Sequence, residues 1–176
     1  AVAVGMELDL DFEIIADSLL QFEGVQRRFE IVKQSNELTL IDDYGHHPVE
    51  IKASLKTVKE IWPAVRLIVI FQPHRYSRTK SLMKDFWSSF NDADHLFVMD
   101  IFSAGESPLD KVHASAIVEG ARECGHKNAN YIENQNDLNK QLHRLVKHGD
   151  VLMTLGAGDV WRLGRDFLVA RFSQKN

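Results

Sequence analysis

The chain has 176 residues, 44% of them hydrophobic and 26% charged, with a formal net charge of −4. That length makes one domain, or one domain with an appendage, and the acidic balance argues against a general nucleic-acid binder, which needs a basic surface to displace counterions. Cys124 is the single cysteine, which excludes an internal disulfide framework and fits a reducing cytoplasm, and no apolar run approaches the ~20 residues that span a bilayer, so no membrane partner is expected.

Ala1-Val-Ala-Val4 opens inside an apolar run, and Glu7, Asp9, Asp11 and Glu13 follow it. A signal peptide starts basic, so the expectation is a fragment of a longer chain, cut within or just before a helix. Phe12, Ile15, Ala16, Leu19, Leu20 and Phe22 recur at helical spacing, which predicts a helix over 11–22. Glu23-Gly24 is expected to end it, with Gly24 as the cap. Arg28–Lys33 alternates, placing Phe29 and Ile31 on one face. After the Ser35-Asn36 turn, Glu37–Asp42 forms a second strand, so the two predict a hairpin. Pro48 suits the first position of a helix, where its missing N–H costs nothing. Ile51, Leu55, Val58 and Trp62 stripe that helix, and Pro63 stops it.

Arg66–Phe71 is a short apolar run rich in β-branched residues, followed by the polar loop 72–79 and then Leu82, Met83, Phe86, Trp87 and Phe90 at helical spacing. This predicts a buried strand, a loop and a helix over about 78–90. His95–Ile101 predicts a strand, 102–108 a loop, and Ala114, Ile117, Val118, Ala121 and Cys124 a helix that Gly125 ends. Ala129–Ile132 predicts a short strand. Leu138, Leu142, Leu145 and Val146 predict a helix with Asn134 or Asn136 at its N-cap. Asp150–Leu155 is the last strand, and Gly156-Ala-Gly-Asp159 leads into a final helix with Val160, Leu163 and Phe167; the tail 173–176 is expected to fray. Strands alternating with helices predict an α/β fold: a Rossmann-like, mostly parallel sheet of about six strands, one of them antiparallel, with helices on both faces.

In such sheets ligands bind at the carboxyl edge. The loop after strand 66–71 brings His74, Arg75 and Arg78 there, and two guanidiniums suit a carboxylate or phosphate. With half the site on another part of the protein, Arg75 and Arg78 are expected to stand under-paired. Gly156-Ala-Gly-Asp159 allows two readings, a phosphate-facing turn or simply a tight turn; Trp161 occupies the position where the dinucleotide fingerprint needs a small residue. None of the eight histidines has zinc spacing, so no protein metal cage is expected. Glu106 reads as a solvated charge, Arg27-Arg28 as a charge pair at a hinge-like break, and Asp42-Asp43 as possible caps of the following helix. The sequence contains no G-x-x-x-x-G-K-[ST], so it does not form an ATP-gripping P-loop by itself.

Gly24-Val-Gln-Arg-Arg-Phe29, Asp42-Asp-Tyr-Gly-His-His-Pro48, Phe71-Gln-Pro-His-Arg-Tyr-Ser-Arg-Thr79, Ser103-Ala-Gly-Glu106 and Gly156-Ala-Gly-Asp159, in this order and spacing, resemble the C-terminal domain of the Mur ligases. Within the family they are most similar to the branch that joins L-alanine to UDP-N-acetylmuramate. The resemblance implies that residues 1–22 end a central ATPase domain as an appendage helix and that 23–176 form the C-terminal domain. It implies a reaction in which ATP, with Mg²⁺, phosphorylates the UDP-N-acetylmuramate carboxylate and the L-alanine amine displaces phosphate. Arg28 matches an arginine that reaches the ATP phosphates, with a catalytic role. Asp43 matches an acidic residue that holds the ribose, and Tyr44 and His46 lie in the same nucleotide- and substrate-facing loop. His74, Arg75 and Arg78 match the group that meets the amino-acid carboxylate and nearby substrate. The partners implied are the protein's own N-terminal and central domains, which hold most of the ATP and Mg²⁺ contacts. Two alternatives remain: a recycling ligase that attaches a tripeptide, whose loop usually carries Phe-Ala where Tyr44-Gly45 stand, and a stand-alone nucleotide- or anion-binding module. Trp161 disfavours a redox dinucleotide domain.

Overall fold

A computed structural model describes residues 1–22 and 24–173. The elements in chain order are α1 (Val2–Glu7), α2 (Phe12–Leu20), β1 (Glu30–Lys33), β2 (Leu38–Asp43), α3 (Pro48–Ile61), β3 (Leu67–Phe71), α4 (Tyr76–Ser81), α5 (Met83–Trp87), β4 (His95–Met99), α6 (Ser115–Glu123), β5 (Ala129–Ile132), α7 (Gln135–Leu145), β6 (Asp150–Leu155) and α8 (Trp161–Ser173). The six strands form one sheet in the order β1-β2-β6-β3-β4-β5. The β1–β2 pair is antiparallel and the remaining four pairs are parallel, as the alternation predicts.

Side chains along a strand point to opposite faces by turns, and the core divides accordingly. Leu67, Val69 and Phe71 join Ile51, Leu55 and Val58 of α3, Phe86 of α5 and Ile117 of α6 on one face. Ile68 and Ile70 join Leu138 and Leu142 of α7 and Leu163 and Phe167 of α8 on the other. Phe71 is fully buried with its ring 5.5 Å from Phe86 and 5.1 Å from Phe90; burying one such ring stabilises by about 1.5–3 kcal/mol.

Local signals explain most element ends. Pro48 opens α3, His47 is its N-cap, and Glu50 reaches back to close a capping box, so two orphan N–H groups are satisfied together. Asn134 caps α7 through the amide of Asn136. Gly125, at φ +98 after the C-cap Cys124, ends α6 in the left-handed region.

Four expectations need correction. The appendage is two short helices, α1 and α2, not one. Gly24 has φ +91 but stands beyond the C-cap Gln21, so it does not cap α2; Glu23, like 174–176 of the tail, lies outside the described residues. Phe29 precedes β1 with a left-handed φ of +49, and Ile31 is exposed while Val32 packs on the core; a register shift between Ile31 and Lys33 reverses the expected faces. The helix expected over 78–90 is two helices. Leu82 serves as C-cap of α4 and N-cap of α5, and this break sets Phe86 and Phe90 against Phe71, where packing outweighs helix propensity.

Candidate functional site

The carboxyl ends of β2, β6 and β3 are flush: Asp43 pairs with Leu155, and Leu155 with Phe71. The ladder continues past them, with Gln72 N donating to Leu155 O at 2.9 Å and Gly156 N to Asp43 O at 3.1 Å. A further bridge joins His74 to Phe102. The loops at 44–47, 72–75, 100–106 and 156–160 therefore crowd one edge of the sheet.

His74 is the centre of this edge. Its ring stacks on Phe102 at 5.7 Å and 11°, and His46 leans on it at 5.7 Å and 46°. Burial, then the charges of Arg78, His46 and Arg75, hold its imidazole below the usual histidine range. Arg75 starts α4 with φ +69, and its N–H donates to Phe102 O at 2.8 Å. Its exposed guanidinium and that of Arg78 form no salt bridge among the described residues, in keeping with the expected under-pairing. Two guanidiniums at a strand edge offer the planar donor forks that match a carboxylate or phosphate.

Tyr44 and His46 stand beside them. His46 Nδ1 lies 3.0 Å from Tyr44 O, and their rings meet edge to face at 5.5 Å. The amides of His46 and His47 donate to Glu50 Oε2 at 3.0 and 3.1 Å. Burial alone would raise the Glu50 carboxyl, and these two N–H groups with the nearby positive charges hold it low instead.

Asp43 faces inward at 7% exposure. Oδ2 accepts from Phe29 N and Ser54 Oγ, and Oδ1 from Gly45 N at 2.6 Å. Neither Asp42 nor Asp43 caps α3; that is done by His47 and Glu50. Glu106 is not a merely solvated charge: it accepts from Ser77 N at 2.9 Å and Ser77 Oγ at 2.5 Å, and both bonds hold its carboxyl below the usual range.

Two reassignments concern Arg27 and the Gly-Ala-Gly loop. Arg27 and Arg28 are not an equivalent solvated pair. Arg28 is the exposed one, 56% by side chain, with Nη1 4.0 Å from Glu50 and its guanidinium 5.4 Å from the Tyr44 ring centre. Arg27 turns inward, donating from Nε to Asp42 at 3.0 Å, from Nη1 to Gly158 O at 3.1 Å and from Nη2 to Gly156 O at 2.5 Å. Asp42 is almost fully buried, and burial pushes its carboxyl up against the opposing bonds from Thr154 and Arg27. Gln72 Oε1 takes the amides of Asp159 and Val160 at 3.0 and 3.2 Å, the donors that a phosphate would need. A Cβ on Gly158 would lie 2.3 Å from that oxygen and 2.8 Å from Phe102. The loop is thus a tight turn. The roles of Arg27 and Gln72 escaped the sequence reading because the carbonyls that Arg27 meets and the Asp159 that Gln72 meets lie more than eighty residues away.

A cleft of roughly 500 Å³ lined by Gly24, Val25, Gln26, Arg28, Phe29, Glu30 and Ile31 adjoins the Arg28 side of this edge. Among the described residues, no cluster of three or more His, Cys, Asp or Glu is placed to hold a metal ion.

Residues 27–158 match the family described as Mur ligase, glutamate ligase domain. The chain is 48% identical over 168 residues to the UDP-N-acetylmuramate--L-alanine ligase of Desulfosudis oleivorans, a match that takes in 96% of this chain and 37% of that protein. The solved UDP-N-acetylmuramate-alanine ligase of Thermotoga maritima superposes with a TM-score of 0.80 at 29% identity, over 99% of this chain and 36% of that one. A murein peptide ligase of Psychrobacter arcticus shares the fold, with a TM-score of 0.72 at 19% identity, over 96% of this chain and 35% of that one. The chain spans a little over a third of the length of each of these proteins.

Proposed function

The chain belongs to the Mur ligase family through its glutamate ligase domain, and from that premise we propose that it is the C-terminal domain of a UDP-N-acetylmuramate–L-alanine ligase. In this reading the γ-phosphate of ATP passes to the carboxylate of UDP-N-acetylmuramate. The L-alanine amine then attacks the acyl phosphate, forming the amide and releasing ADP and phosphate, a step of peptidoglycan precursor synthesis in the cytoplasm that cell-wall growth, shape and division depend on. Among the described residues no helix is long and apolar enough to cross a membrane.

Residues 1–22 are the end of the central ATPase domain and 23–176 the C-terminal domain. Most contacts to ATP and Mg²⁺ belong to the remainder of the protein; among the described residues no cluster of three or more His, Cys, Asp or Glu is placed to hold the ion. Arg28 reaches the ATP phosphates, where a positioned cation offsets developing phosphoryl charge. Tyr44 flanks the nucleotide, and Asp43 retains acceptor capacity for the ribose on Oδ1, which takes one internal bond. His46, His74, Arg75 and Arg78 meet the amino-acid carboxylate and the adjoining substrate.

The observation that carries the reading is the pair Arg75 and Arg78, set on the carboxyl edge of the sheet with no salt bridge to a carboxylate among the described residues. Gly45 favours the alanine-adding branch over the tripeptide ligase. A Cβ there would stand 2.9 Å from Asp43 Oδ1, so the alternative Phe-Ala loop calls for a different seat for Asp43. The test is ligation by the full-length protein offered L-alanine or the tripeptide. Amide formation with L-alanine supports the reading, and preference for the tripeptide replaces it with the recycling ligase. The isolated 176-residue chain is expected to be inactive and to bind ATP weakly; tight calorimetric binding of ATP would favour the stand-alone module.

A further inference from the structure

Arg27 has no part in the chemistry proposed above, yet its side chain makes three long-range hydrogen bonds, to Asp42, Gly158 and Gly156. We infer that Arg27 is a positioning residue: it locks the turn 27–29 so that Arg28 is presented at the cleft. The inference rests on the reading of Arg28 as the residue that meets ATP phosphates.

The turn is held in an unfavourable backbone. Arg27 has φ +61 and Phe29 φ +49, a region costly for residues with a Cβ and maintained only where surrounding structure over-determines it. Arg28 sits between these two residues, so its direction is set by both. The over-determination is visible bond by bond. The Arg27 amide donates to Glu30 Oε2 at 2.8 Å, and its carbonyl accepts from Tyr44 N at 2.6 Å. The Phe29 amide donates to Asp43 Oδ2 at 2.9 Å. All three guanidinium nitrogens of Arg27 are used, one on Asp42 and two on the carbonyls of Gly158 and Gly156. Asp42 is itself fixed by Thr154 Oγ1 at 2.6 Å.

A planar, five-donor fork is required for this. It ties the end of β2 to the loop after β6 and closes the turn over both. Lysine, a point charge, reaches one of these acceptors at a time. The two guanidiniums also share one aromatic ring: Arg27 lies 5.1 Å and Arg28 5.4 Å from the Tyr44 centre. Arg27 spends its charge on Asp42, whereas Arg28 is left exposed beside a Glu50 only 4.0 Å away at the nearest oxygen. The half-buried arginine is thus the anchor and the exposed one the reagent.

A purely structural role would lower the active fraction, and with it the apparent kcat, and would leave both KM values unchanged. The test is therefore steady-state kinetics of the full-length protein carrying R27M or R27K. For R27M, KM for ATP should rise and kcat/KM for ATP should fall by roughly 10- to 100-fold, the scale that misplacing a group by about 1 Å costs, while KM for L-alanine is unchanged; R27K should fall between R27M and the parent. An unaltered KM for ATP, or an equal rise in KM for ATP and for L-alanine, overturns the inference. If R27M fails to fold, the same comparison is made with R27K alone. If the unmodified full-length protein forms no amide, the functional reading fails, and the positioning claim is decided on crystal structures of the 176-residue chain. There R27M should release Arg28 from Tyr44 and relax φ at positions 27 and 29; an unmoved Arg28 overturns it.

Discussion

Nη1 of Arg78 lies 3.1 Å from Nδ1 of His74. A guanidinium can only donate, so His74 accepts at Nδ1 and carries its proton on Nε2. Protonating Nδ1 would end this bond and set a cation against Arg78, with Arg75 and His46 close by and Glu106 the one opposing charge. The folded imidazole accordingly titrates below the ordinary 6.5. The sign follows: as pH falls through 6.5 the unfolded chain takes up this proton first, so stability is lost on acidification and is undiminished above that value. NMR titration of the imidazole should give a midpoint below 6.5, moving upward in R78M. A midpoint above 6.5 in the unmodified chain would contradict the assignment.

Asp42 is the buried member of the pair with Arg27, at 2% against 21% side-chain exposure. Removing one partner of a buried pair leaves the other uncompensated. D42A should therefore destabilise the domain by about 3 kcal/mol, the low end for such pairs because Arg27 retains some solvent and two carbonyl acceptors. Denaturant unfolding measures this. A midpoint equal to that of the unmodified chain would mean that the two carbonyls suffice.

Gly120 faces the indole of Trp87 across the α5–α6 contact. A Cβ there would come within 2.1 Å of Nε1 and 2.2 Å of Cδ1. Two effects oppose each other in G120A: alanine gains about 1 kcal/mol of helix propensity, and overpacking costs about 1–3 kcal/mol. The ring is rigid and its Nε1 buried without an acceptor, so overpacking should win and the thermal midpoint should fall. A raised midpoint would show that the interface yields.

Glu106 joins the loop after β4 to the first turn of α4 through Ser77. E106A should accelerate hydrogen exchange at the Ser77 amide while leaving exchange in β3 as it was. Because the folded carboxyl is held low, the protection it gives is present above the ordinary 4.5 and is lost as pH falls through the folded value. Equal exchange in E106A and the parent would remove Glu106 from the loop's support.

The elements legible in the sequence were those with a local cause. Pro48 and the spacing of Ile51, Leu55 and Val58 announced α3, and the apolar run at 67–71 announced a strand buried on both faces. The strand-edge rule placed His74, Arg75 and Arg78 at the carboxyl edge, the resemblance put Tyr44 and His46 in one loop, and the sheet brings the two loops together. What escaped was set by distant partners. Arg27 meets carbonyls 129 and 131 positions away, and nothing in Arg27-Arg28 tells which one turns inward. The break at Leu82 carries no glycine or proline; packing of Phe86 and Phe90 on Phe71 imposes it. The reversed face of Ile31 follows from a one-residue irregularity, which exchanges inside for outside along a strand.

The last strand of the chain is also the one that joins the sheet. β6 lies between β2 and β3, so β1–β2 and β3–β4–β5 share no ladder until residues 150–155 insert between them. Leu38 must find Asp150, its partner in register, across most of the chain, a loop closure that precedes any stabilising contact. Until β6 pairs with both, each half-sheet has an unpaired inner edge, of the kind that can take a wrong strand. β6 is thus the strand that brings the loops at 44–46 and 74–78 to one edge.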